Sequence, residues 1–114
     1  MTRKALIAGN WKMNGSCEMA KELAQGIITG ASNSSADVLV CPPYPYLSLV
    51  AEVLAGSSVC LGAQNVSERA NGAFTGEVSA AMLKELNCEY IIVGHSERRE
   101  FYGEDSSLVV EKAC

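Results

Sequence analysis

The stretch YIIVGHSERRE, residues 90–100, contains the pattern that decides the fold of this chain. A continuous apolar run ends at Gly94, and His95, the only histidine among 114 residues, follows at once before a run of charge. Continuous apolar runs of this length are typical of parallel strands that are covered on both faces. The sequence therefore predicts that the single imidazole lies at the carboxyl end of a buried strand.

Three earlier runs have the same character and are predicted to be strands as well. The four predicted strands span residues 5–9, 37–41, 59–63 and 90–94. Segments with a helical spacing of apolar residues separate them, and the predicted helices span residues 16–30, 46–55 and 79–87 and begin again after residue 105. Ser16, Ser79 and Asp105 are candidate N-caps, because their short side chains can accept hydrogen bonds from free backbone N–H groups.

This alternation predicts an α/β fold with parallel strands and right-handed crossovers, in a single domain over residues 1–114. Two architectures are compatible with it, a small doubly wound sheet and part of a (β/α) barrel, and the apolar periodicity does not distinguish them. In both, functional side chains gather in loops at the carboxyl ends of the strands. The loop after the third strand is unusually long, so we predict that it serves function or an interface.

The composition argues against several classes of partner. A formal net charge of -4 disfavours nucleic acid and anionic membranes. No apolar segment is long enough for a membrane span or a signal peptide, so we expect a cytoplasmic protein. One histidine and five cysteines without a CxxC pair argue against a metal site. Cys41, Cys60 and Cys88 lie in or beside apolar runs and are predicted to be buried, reduced thiols.

The candidate chemistry lies in polar side chains at the strand ends. The chain has neither GxG spacing nor a GxxxxGK[ST] motif, so no cofactor is predicted. Asn10 and Lys12 follow the first strand, and His95 and Glu97 follow the fourth. Lys12 suits an anionic substrate or a developing oxyanion, and His95 can exchange a proton near neutral pH. Lys12, His95 and Glu97 also have ordinary interpretations, as a solvated lysine, a structural histidine and a carboxylate at a helix start.

Three segments closely resemble the triosephosphate isomerase family: GNWKMNG (9–15), GAQNVSERANGAFTGE (62–77) and FTGEVSAAMLKELNCEYIIVGHSERR (74–99). The resemblance runs along the whole chain and implies a TIM (β/α)8 barrel. This chain would be only the N-terminal (β/α)4 half, with parallel strands, because a complete barrel needs about 250 residues. Residues 1–114 would then be the N-terminal half of a single barrel domain.

The resemblance also implies roles for individual residues. The implied catalytic residues are His95, Lys12 and Glu97. The implied substrate-binding residues are Asn10, Trp11 and Lys12, and Ser96 would support the site. In the family's mechanism, a standard example of tuned acid–base chemistry, the histidine is a neutral electrophile at a helix N-terminus. The segment SERREFY is predicted to be that short helix.

The reaction implied by the resemblance interconverts dihydroxyacetone phosphate and glyceraldehyde 3-phosphate by proton transfer through an enediolate, without a cofactor, in glycolysis and gluconeogenesis. The complete family protein is a homodimer, and Thr75, Gly76, Glu77 and Arg98 match its interface.

The family's general base is a glutamate on a lid after the sixth strand. We therefore expect these 114 residues by themselves to be inactive, and their unpaired strand edges to make them weakly folded and self-associating. The alternative is a non-catalytic half-barrel module that associates with itself or with a complementary C-terminal half.

Overall fold

The computed structural model describes residues 5–114, and the predicted strands and helices are present in it. The strands are β1 (Leu6–Asn10), β2 (Asp37–Cys41), β3 (Cys60–Ala63) and β4 (Cys88–Ile91). They pair in parallel in the order β1-β2-β3-β4, which confirms the parallel α/β prediction. A doubly wound sheet reverses its strand order at a switch point, so the sequential order favours the barrel. The predicted domain also includes residues 1–4, which lie outside the described residues.

The helices begin where the sequence predicts. They are α1 (Cys17–Ala31), α2 (Leu47–Leu54), α3 (Ala80–Glu85), α4 (Ser96–Tyr102) and α5 (Ser106–Ala113). The three predicted N-caps are confirmed, since the side chains of Ser16, Ser79 and Asp105 each accept a hydrogen bond from a backbone N–H three residues later. None of the helices formed by residues 5–114 has the length and apolar character needed to cross a bilayer.

Two predicted elements differ from the structure by more than one residue at an end, and the other boundaries agree to within one residue. Helix α3 ends earlier than predicted, because Leu86 caps it and Asn87 adopts a left-handed backbone with φ of 65°. Strand β4 begins and ends earlier than residues 90–94, because its pairing partner β3 spans only four residues and Leu61 pairs with Cys88. Tertiary pairing, rather than the extent of the apolar run, thus sets the ends of this strand.

The core lies between the helices and the two inner strands. Strand residues Val40, Leu61 and Ala63 pack there with helix residues such as Leu47 and Leu83. The outer strands are much less covered: Leu6 and Ile7 of β1 are 52% and 56% exposed, and Tyr90 and Ile91 of β4 are each 36% exposed. No strand among residues 5–114 pairs with the outer edge of β1 or β4. The sheet is therefore open at both edges.

The cysteine prediction is correct for one residue of three. Cys41 is buried, whereas Cys60 and Cys88 are only partly buried because each stands at the first position of its strand. Burial raises the pKa of the Cys41 thiol to about 11, and nearby Cys88 adds a smaller rise. Since the thiolate is the reactive species, Cys41 is a poor nucleophile at neutral pH.

Gly62 in β3 permits a close approach between neighbouring strands. A Cβ atom at this position would lie 2.7 Å from Cys41 Sγ and 2.9 Å from Leu39 Cδ1. We expect Gly62→Ala to lower the free energy of unfolding by about 1–3 kcal/mol, the usual cost of overpacking. The measurement is the urea midpoint of the 114-residue chain.

The matched control for this prediction is Gly26→Ala in α1, where a Cβ would meet nothing within 4 Å. Alanine is a better helix former, so this variant should be more stable by about 0.5–1 kcal/mol. Equal midpoints for the two variants would contradict the proposed strand contact.

Candidate active site

The loop after β1 exposes the Lys12 side chain to solvent, while hydrogen bonds and a buried ring hold the loop itself in place. Asn10 ends the strand, and its Oδ1 accepts a hydrogen bond of 2.9 Å from the Lys12 backbone N–H. The Trp11 backbone N–H donates to the Cys41 carbonyl at 3.1 Å, and the Trp11 ring is buried in the core at 8% exposure. Lys12 itself has a left-handed backbone with φ of 57°. Substrate binding by Trp11 stays a prediction, and its ring acts here as an anchor of the loop.

Gln64 is a residue of this site that the sequence reasoning missed. It follows β3 directly, and its Nε2 donates hydrogen bonds of 2.8 Å to the carbonyl of Lys12 and 2.8 Å to the carbonyl of Cys41. The sequence signal that could have identified Gln64 is its position, because it directly follows the third strand, much as Asn10 stands at the end of the first. Gln64 therefore connects the loop after β1 with the ends of β2 and β3.

The loop after β4 holds His95 as the N-cap of α4. Its Nδ1 accepts a hydrogen bond of 3.1 Å from the Glu97 backbone N–H. Because an accepting ring nitrogen carries no proton, the neutral ring keeps its proton on Nε2. The His95 side chain is 28% exposed, so Nε2 belongs to a partly open group that can donate a hydrogen bond. Ser96, the first residue of α4, is exposed beside it.

An ion pair joins the two loops. Lys12 Nζ lies 2.8 Å from Glu97 Oε1, and Glu97 Oε2 lies 3.8 Å from His95 Nδ1. The hydrogen bond from Lys12 lowers the pKa of the Glu97 carboxyl below its ordinary value. Asn10, Lys12, Glu97 and His95 thus form a continuous set of contacts at the carboxyl edge of the sheet. An exposed cation beside an imidazole N–H can bind an anion and polarise a carbonyl group.

The predicted interface residues fall in two places. Thr75, Gly76 and Glu77 are exposed in the long loop between β3 and α3. Arg98 lies in α4, where its guanidinium stacks 4.7 Å from the centre of the Tyr102 ring. Their role in an interface stays a prediction.

A buried ionic cluster connects α4 with α5 and with the loop after β3. Glu104 Oε2 accepts hydrogen bonds of 2.5 Å from Arg98 Nε and 2.6 Å from Lys112 Nζ, and Lys112 also donates to Asn65 Oδ1 at 2.9 Å. The side chains of Glu104 and Lys112 are only 2% and 3% exposed. Burial raises the pKa of the Glu104 carboxyl, but the hydrogen bonds from Lys112 and Arg98 outweigh it, so the pKa is lowered overall. We call these four residues the Glu104 cluster.

Comparison with known proteins gives a consistent result. The sequence profile of the triosephosphate isomerase family matches residues 5–114. Triosephosphate isomerase of Dechloromonas aromatica is 54% identical over 110 residues, which cover 96% of this chain and 44% of the relative. That of Nitrosomonas eutropha is 51% identical over 113 residues, which cover 98% of this chain and 45% of the relative.

A solved structure agrees with these relatives. The crystal structure of triosephosphate isomerase from Bartonella henselae matches with a TM-score of 0.88 and 40% identity, over 96% of this chain and 46% of that one. The chain therefore spans under half the length of the relatives it matches. Four parallel strands in sequence order are what a (β/α)4 half of the barrel contains, so the predicted fold class is confirmed.

Proposed function

Because the chain belongs to the triosephosphate isomerase family, as its motifs predicted, we propose that it carries the substrate-binding and electrophilic part of an aldose–ketose isomerase. The reaction is the interconversion of dihydroxyacetone phosphate and glyceraldehyde 3-phosphate. The observation that carries this proposal is the pairing of Lys12 with Glu97 beside an imidazole whose Nδ1 is occupied. We place the reaction in the cytoplasm, in glycolysis and gluconeogenesis, and without a cofactor.

Lys12 and Asn10 are the proposed substrate-binding residues. The Lys12 side chain is 56% exposed, so its ammonium can meet a phosphate or a developing oxyanion. The net charge of the chain is -4, and an anionic substrate therefore needs such a local cation. Glu97 holds the ammonium at 2.8 Å and limits its range of positions.

His95 is the proposed electrophile. Its Nε2–H donates to the substrate carbonyl oxygen and transfers the proton to it, while a base removes the carbon-bound proton and an enediol forms. The protonated base then returns a proton to the neighbouring carbon, and His95 Nε2 removes the proton from the other oxygen, which gives the isomeric product. The hydrogen bond from the Glu97 N–H supports this role, since it reserves Nε2 as the donating nitrogen.

The general base is the part of the proposal that this stretch does not supply. In the family it follows the sixth strand, and residues 5–114 form four strands. We propose that the 114 residues by themselves turn over no substrate and that activity belongs to a complete barrel. The exposed loop tip at Thr75, Gly76 and Glu77, with Arg98, is proposed as the dimer interface of that complete protein.

A hybrid protein tests the proposed function. Residues 1–114 are followed in one gene by the remaining C-terminal part of the Dechloromonas aromatica relative, which is 54% identical over the shared region. We expect the hybrid to isomerise both triose phosphates, and the 114-residue chain at the same concentration to show no turnover above buffer. A folded hybrid without turnover would refute the proposal, and so would turnover by the short chain.

A second candidate function is a half-barrel assembly module. The open edges favour it, because Leu6, Ile7, Tyr90 and Ile91 leave apolar surface in water on strands whose outer edges pair with no other strand among residues 5–114. Sedimentation of the purified chain, alone and mixed with the separate C-terminal part, distinguishes the two functions. A discrete self-assembled species that does not bind the C-terminal part would favour the module. Binding of that part with recovery of turnover would favour the enzyme.

A further inference from the structure

The backbone of Lys12 is held in a conformation that a lysine does not prefer. Its φ of 57° lies in the left-handed region, and Asn87 is the only other non-glycine residue there within residues 5–114. Asparagine tolerates this region because its side chain can hydrogen-bond locally, whereas lysine lacks such compensation. A residue in such a conformation persists only where its surroundings hold it.

Two side chains supply that support, one to each backbone polar group of Lys12. Asn10 Oδ1 accepts from the N–H at 2.9 Å, and Gln64 Nε2 donates to the carbonyl at 2.8 Å. Asn10 is a neighbour in sequence, but Gln64 is 52 residues away and comes from the end of another strand. The same amide nitrogen donates to the Cys41 carbonyl, which also accepts from the Trp11 N–H. Gln64 therefore fixes Lys12 relative to β2.

We propose that Gln64 is a positioning residue for Lys12. Its amide holds the left-handed backbone of Lys12 and so directs the ammonium to Glu97 and to the substrate, without touching the substrate itself. This inference rests on the proposed function for the role of Lys12, whereas the hydrogen bonds that support it are observed independently of that function. A side chain that only filled space would need no donor, yet both hydrogen bonds of Gln64 depend on its N–H groups.

The test compares Gln64→Met with the original chain by nuclear magnetic resonance of the 114 residues with ¹⁵N-labelled lysine. Methionine keeps the length of the side chain and removes the donor. The amide and α protons of one residue are closest when φ is positive, so Lys12 should show a strong intraresidue cross-peak that Gln64→Met weakens. Loss of the ion pair should also raise the pKa of the Glu97 carboxyl toward its ordinary value, measured by ¹³C titration. Gln25→Met, exposed on α1, is the control and should change neither signal.

Gln64→Glu is the second variant, since it is isosteric and its carboxylate cannot donate. A folded variant that keeps the Lys12 cross-peak and the Glu97 titration would overturn the proposal. Failure of both variants to fold would also overturn it, because Gln64 would then serve the fold rather than one lysine. Neither readout requires turnover, so they remain informative if the hybrid is inactive. In an active hybrid, Gln64→Met should reduce kcat/KM roughly 10- to 100-fold, the scale of a small misplacement at a reacting centre.

Discussion

Glu104→Leu is expected to lower the free energy of unfolding by about 3–5 kcal/mol, the cost of removing one partner from a buried ion pair. The change leaves the ammonium of Lys112, which is 3% exposed, without its carboxylate. Arg98 is 29% exposed and can turn toward water, so Lys112 accounts for most of the loss. Single domains are commonly stable by only about 5–15 kcal/mol, and the variant should therefore be largely unfolded at modest urea. Urea unfolding followed by circular dichroism measures the effect.

Two controls make this prediction specific. Glu100→Leu removes an exposed carboxylate from α4, the helix that precedes Glu104, and should change the midpoint little. The double variant Glu104→Leu with Lys112→Met removes both buried charges and should recover most of the lost stability, because apolar replacement of a whole buried pair is often neutral. A double variant as unstable as the single one would show that packing, rather than the stranded charge, causes the loss.

The same cluster predicts a dependence on pH. The pKa of the Glu104 carboxyl is lower in the folded chain than its ordinary value of 4.5. The folded state therefore binds this proton less readily than the unfolded state, and the contribution to stability is complete above that value. It is lost as the pH falls through the lowered folded pKa. Glu104→Leu should remove this part of the acid dependence.

His95→Gln in the hybrid is expected to reduce kcat by about 10²–10⁴-fold, the usual contribution of a positioned acid–base group. Glutamine keeps a hydrogen-bond donor but does not exchange a proton near neutral pH, so KM should change much less than kcat. The measurement is steady-state isomerisation in both directions over a range of substrate concentrations. Glu22→Gln, exposed on α1, serves as the control and should retain full turnover. A hybrid with unchanged kcat would remove His95 from the mechanism.

Much of the fold was accessible from local patterns. The continuous apolar runs placed four strands, and the caps Ser16, Ser79 and Asp105 placed three helix starts, because a capping hydrogen bond spans only three residues. The end of β4 was misplaced, since a strand stops where its partner stops rather than where its apolar residues do.

The candidate site was accessible in part. Asn10, Lys12, His95 and Glu97 were named from their positions at the ends of predicted strands, and the structure brings them together. Their catalytic and binding roles remain predictions for the hybrid to test. Gln64 was missed because an amide after a strand has no pattern that marks it as a partner of a backbone 52 residues away.

By itself, the sequence determined the alternation of buried strands and capped helices, the family, and the residue types at the strand ends, because each follows from neighbouring residues or from a contiguous motif. Only the tertiary structure decided how Lys12 is held, why Gly62 has no room for a side chain, and how Glu104 is neutralised. The physical reason is the same in each case. These contacts join strands or loops that lie far apart in the chain, and parallel pairing in a particular register is what brings them within hydrogen-bonding or van der Waals distance.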